Sequence, residues 1–179
     1  MNKQRLAKAT IINLSSRVVL GILSLLQVVL IARVFGVSET IDAYMVAIWI
    51  PLIIWGLGDS VLIYSLVPYL VSLHVKDGVK SAREAAGHIF SWFIILLLGI
   101  SIGVYLVSPY LVYILVPGFS KDAQILTAEL LRYLSPAILI AGLTAFLSSI
   151  LYTLKKFTVP AIAALFPDIG AIGFILYGI

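Results

Sequence analysis

Between Thr10 and Ile31 the chain is apolar for a length that crosses a bilayer, and Arg17 lies seven residues inside that run. As a helix the run would be about 33 Å long, against a hydrocarbon core of about 30 Å. Lipid offers no partner to backbone N–H and C=O groups, so such a segment must satisfy them internally, as a helix. The expected fold class is therefore all-α, a polytopic membrane helical bundle. An arginine inside a membrane helix costs about 2.5–3.5 kcal/mol on insertion scales, so it faces a partner or a wet cavity. Asn13, Arg17, Gly21, Ser24 and Gln27 follow at steps of three or four, which places them on one helical face. A polar stripe on a membrane helix points to something polar beside it, and so to a transport pathway more than to an anchor.

The bulk composition agrees: 62% of residues are hydrophobic, 11% are charged, and the mean hydropathy is +1.15. The formal charge of +4 could indicate a nucleic-acid partner. Lys and Arg collect between the apolar runs, however, which is the pattern of membrane topology, and no nucleic acid is expected. The absence of cysteine excludes disulfides and thiolate metal sites. Lys3, Arg5 and Lys8 before an apolar run imitate a secretory signal. The run is too long for one and lacks a small-residue cleavage site, so it reads as a retained first span.

Five spans are expected, at about 10–32, 43–73, 88–116, 125–154 and 158–179. The second is long for one crossing, about 46 Å as a helix, and contains Pro51, so a kinked or tilted helix projecting past the membrane is predicted. Two crossings there would be too short. Residues 76–87 read as a short surface helix. With the N-terminus inside, Lys3, Arg5, Lys8, Lys76, Lys80, Arg83, Lys155 and Lys156 are cytoplasmic, and only Arg33 and Lys121 lie in outer loops. That is a positive-inside bias. An odd number of crossings, with the last reaching Ile179 and carrying Pro167, Asp168 and glycines, leads to the expectation of a truncated lobe of a longer protein.

Several stretches together resemble the MurJ/MviN family of lipid II flippases, within the multidrug/oligosaccharidyl-lipid/polysaccharide exporter superfamily. They are Ser16-Arg17-Val18, Ala32-Arg33-Val34-Phe35-Gly36, Thr40-Ile41-Asp42-Ala43-Tyr44 with Pro51 nine residues after the Asp, and Val67-Pro68. Pro117-Gly118-Phe119 and Tyr152-Thr153-Leu154-Lys155-Lys156-Phe157-Thr158-Val159-Pro160-Ala161 complete the set. The resemblance implies two six-helix lobes around a hydrophilic cavity, of which this chain would be the first lobe without its sixth helix. It also implies carriage of a lipid-linked sugar precursor from the cytoplasmic to the outer leaflet by alternating access. Arg17 falls on a family arginine, Asp42 on a family aspartate, and Asp59 near an acidic position once one residue is gapped. Gln27 stands where such flippases carry a second arginine, and Trp55 where they carry another after the proline. Fewer cavity cations fit a less anionic lipid-linked glycan, or compensation from the other lobe.

The candidate substrate-binding and cavity residues are Arg17, Gln27, Asp42 and Asp59. Each has a plainer alternative. Arg17 can snorkel toward headgroups; Asp42 can serve the dipole at a helix start; Asp59 can be paired or protonated within the structure. Arg132 reads as an outer-interface residue, Gly99 and Gly103 as a close-packing pair, and Trp49, Trp55 and Trp92 as lipid-facing or interfacial. Glu84 and His88 make no metal site. No nucleotide loop or catalytic constellation is present, so no enzyme and no cofactor are expected, beyond an unidentified coupling ion. The expected partners are a lipid-linked oligosaccharide substrate, membrane lipids and the remaining half of the transporter, in the bacterial cytoplasmic membrane. A cation-coupled small-molecule exporter of the same superfamily and a non-transporting membrane scaffold are the alternatives.

Overall fold

The computed structural model describes residues 3–36 and 38–177; the side chains of residues 3–13, Ser16, Arg17, Phe35 and Phe174 lie outside the described set. Every element is helical: α1 (Lys3–Phe35), α2 (Glu39–Val61), a π-helical turn (Leu62–Leu66), α3 (Val67–Leu115), α4 (Lys121–Thr153), α5 (Thr158–Ala163) and α6 (Leu165–Tyr177). The chain divides into two compact units. One holds α1, α5 and α6, and the other holds α2, the π turn, α3 and α4.

In the first unit α5 and α6 pack against α1. α1 ends where Gly36 takes a left-handed φ of +64°, its N–H bonded to the Ala32 carbonyl, a conformation that glycine adopts at no steric cost.

In the second unit α2 begins at Ser38, whose hydroxyl accepts from the Ile41 N–H, with Glu39 and Asp42 placed against the positive end of the helix. α2 continues helically through Pro51 and departs from α geometry only at the π turn, one turn beyond Asp59. The helix resumes in α3 and breaks at Gly78, where φ +86° and ψ 178° lie outside the reach of residues with a Cβ. α4 supplies the seam. Thr127, Leu131, Ser135, Ile138, Gly142, Ala145 and Ser149 recur at three- and four-residue steps and are buried against α2 and α3. Two apolar clusters result. Ala47, Leu97, Val104, Val112, Leu131 and Ile138 form one, while Leu62, Leu66, Leu70 and Phe146 form the other. Phe146 lies 5.0 Å from Phe90 and 5.6 Å from Phe93 between ring centroids.

Three helical stretches are long and apolar enough to cross a membrane: Glu39–Leu115, Lys121–Thr153 and Thr158–Tyr177. α1 adds a shorter apolar stretch, Val18–Val34, among the described residues. The chain is a multi-pass membrane protein. Residues 76–87 form no separate surface helix, because the helix of the second expected span runs on to the Gly78 break and the next begins directly after it. Gly99 and Gly103 also differ from expectation. A Cβ on either would meet nothing within 4 Å, whereas one on Gly142 would lie 2.6 Å from Leu97 Cδ2. Gly142 is the glycine that lets α3 and α4 approach.

Candidate functional site

The four expected site residues fall into two pairs. Arg17 and Gln27 belong to α1, in the first unit, and Asp42 and Asp59 belong to α2, in the second. The Arg17 backbone is helical, and its side chain lies outside the described set. Ten residues on, about 15 Å along the axis, Gln27 is half-buried. Between them Ser24 donates its hydroxyl to Asp168 Oδ2 of α6 at 3.3 Å. The polar stripe of α1 therefore meets a carboxylate on a neighbouring helix. Interhelical hydrogen bonds in membrane proteins average about 0.6 kcal/mol and reach about 1.7, so the Ser24 contact offsets only part of the about 2.5–3.5 kcal/mol that a carboxylate costs in a membrane helix.

Asp42 is exposed and lies at the start of α2, beside a link between α2 and α4. There Ser120 donates to Glu39 Oε2 at 2.8 Å, and the same hydroxyl accepts from the Ala123 N–H at 3.2 Å. Asp59 lies 17 residues further on, about 26 Å along the helix, so one small ligand cannot touch both. Asp59 is half-buried and lines a cavity of about 360 Å³ among α2, α3 and α4. Trp55 and Gly58 flank it, with Phe93, Leu97 and Ile138 opposite. Asp59 is the only charged residue among those lining it, and the surface they present to the cavity is almost entirely apolar, so the cavity suits an apolar moiety.

Arg132 is the residue whose surroundings depart furthest from expectation. It is half-buried, its Nε donates to Ser108 Oγ at 3.1 Å, and its guanidinium lies 5.9 Å from the centre of the Tyr105 ring. Ser108 is fully buried and donates in turn to the Tyr105 carbonyl at 3.1 Å. One turn along, Ser135 donates to the Arg132 carbonyl, and its own carbonyl accepts from Ser101 at 2.8 Å. A row of hydroxyls thus runs through the α3–α4 contact and ends on an arginine. The sequence signal for this row, serines at 101, 108 and 135 inside apolar runs, was present but does not reveal which helix each serine serves. Likewise Pro167-Asp168 inside an apolar run marked Asp168 without identifying Ser24 as its partner.

Residues 31–178 match the family model described as lipid II flippase MurJ. A probable lipid II flippase MurJ of Buchnera aphidicola is 30% identical over 159 residues, covering 87% of this chain and 31% of the relative. The lipid II flippases MurJ of Thermosipho africanus and Burkholderia cenocepacia are 30% and 29% identical, over 79% and 75% of this chain. The chain spans about a third of the length of these relatives. With helices throughout and apolar runs of bilayer length, the match over residues 31–178 establishes that this chain belongs to the MurJ lipid II flippase family.

Proposed function

We propose that the chain is part of a transporter that moves a lipid-linked glycan precursor of the lipid II class across the bacterial cytoplasmic membrane by alternating access. The observation that carries this reading is the family match over residues 31–178, joined to relatives that are themselves named lipid II flippases. Transport of this kind needs no covalent change in the cargo, so the chain acts as a carrier and not as an enzyme. Its five crossings begin with the N-terminus in the cytoplasm, an orientation supported by the clustering of Lys and Arg in alternate loops.

In this reading Arg17 binds the phosphate of the cargo from the polar face of α1, with Gln27 further along that face. Asp42 and Asp59 act separately, the first at a membrane surface and the second beside an apolar wall. The lipid tail stays in the bilayer, and the other half of the transporter completes the cavity and holds any coupling ion.

The test is rescue of a strain depleted of its own lipid II flippase by the full-length protein. Wild type should restore growth and outer-leaflet lipid II. Arg17→Ala, at equal membrane abundance, should not. Failure of the wild type to move lipid II would reject the function, and full rescue by Arg17→Ala would reject the residue's role.

A further inference from the structure

We propose that Arg132 is a phosphate-binding residue, held ready by Ser108 and Tyr105 in the α3–α4 contact. Its ligand is the phosphate of a lipid, whether a phospholipid headgroup or the pyrophosphate of a lipid-linked sugar. An arginine that merely snorkels keeps its side chain mobile and directed at bulk water. Arg132 instead has Nε fixed on a fully buried hydroxyl and its plane near an aromatic ring. Those two contacts leave the paired N–H groups of the Nη edge without a protein acceptor among the described residues, and no carboxylate there forms an ion pair with the guanidinium. A fixed planar fork with an unused edge is the arrangement that takes phosphate in bidentate fashion.

Arg132 is eleven residues into α4 from Lys121, about 16 Å along the axis, within the half of the 33-residue helix that begins at Lys121 and so toward the headgroup zone at that end. Placing that zone in the outer leaflet rests on the orientation proposed above. The binding itself does not.

The experiment measures binding by the full-length protein in neutral detergent, with native mass spectrometry reading retention of two probes, phosphatidylglycerol and undecaprenyl pyrophosphate. Arg132→Gln should weaken retention of at least one probe by about tenfold, the loss expected for a charge-assisted bidentate contact. Loss confined to undecaprenyl pyrophosphate assigns the site to the cargo, loss confined to phosphatidylglycerol assigns it to the surrounding lipid, and loss of both supports the shared phosphate chemistry. Lys121→Gln removes the same charge from an exposed position at the same end of α4 and should change neither. Unchanged retention of both probes by folded Arg132→Gln, or an equal loss in Lys121→Gln, overturns the proposal. Should Arg132→Gln fail to fold, Ser108→Ala decides. It keeps the charge and frees Nε, so retention should fall by about threefold if the hydroxyl positions the fork. Retention equal to wild type in that variant overturns the positioning. Because the readout is binding, the result stands whether or not the protein flips lipid II.

Discussion

Polar side chains inside the α3–α4 contact carry more information than their number suggests. Ser101 donates to the Ser135 carbonyl across the helices at 2.8 Å, and both residues are buried. Interhelical hydrogen bonds in membrane proteins average about 0.6 kcal/mol and reach about 1.7. Ser101→Ala should therefore destabilise the protein by about 0.5–1.5 kcal/mol in reversible unfolding from detergent. A loss above that range would mean that the whole row of hydroxyls unravels together. Asp168 permits a sharper comparison. Asparagine keeps an acceptor for the Ser24 hydroxyl but removes the charge, whereas alanine removes both. If the contact only joins helices, Asp168→Asn should rescue a flippase-depleted strain and Asp168→Ala should do so poorly. Equal failure of both would mean that the negative charge itself is needed. Sequence alone exposed the ionisable residues in apolar runs, because such residues are rare there. It could not expose Ser108 for Arg132 or Ser24 for Asp168, because those partners lie 24 and 144 residues away.

At the scale of elements, long apolar periodicity made the helices legible, and glycine was the poorest guide to their packing. Gly99 and Gly103 have the spacing of a close-packing pair yet meet nothing within 4 Å, because the buried face of α3 runs through Leu97, Ser101, Val104 and Ser108 instead. Gly142, with no spacing motif around it, is pressed against Leu97. Gly142→Ala should cost about 1–3 kcal/mol by overpacking, read as a fall in melting temperature in detergent. Leu97→Ala placed on top should recover part of the loss, and a purely additive double variant would contradict the close approach. The π turn at Leu62–Leu66 and the break at Gly78 divide a 77-residue helical stretch that composition alone cannot partition. Pro51, where a kink or tilt is expected, lies inside α2, which is helical on both sides of it.

For the molecule as a whole, the candidate site was legible as residue types and less so as a place. The α1 face and the two α2 carboxylates were read together, yet Asp42 and Asp59 are separated by about 26 Å of helix. Topology is testable directly because the chain has no cysteine, so single cysteines can be introduced without background. With the N-terminus inside, a cysteine at Lys80 should react only from the cytoplasmic side and one at Ser120 only from outside, as resolved by membrane-impermeant maleimide on intact cells and on inverted vesicles. Labelling of both from the same side would contradict the five-crossing topology.

A transport pathway along α1 requires that its polar face border water within the membrane. The reaction rate of Gln27→Cys in the full-length protein with a small, charged, membrane-impermeant thiol reagent decides whether it does. Labelling should be well above that of Leu26→Cys on the adjoining face, and slowed when a lipid-linked pyrophosphate is bound. Equal, negligible labelling at both positions would mean that the stripe is dry and that the helix faces only its neighbours.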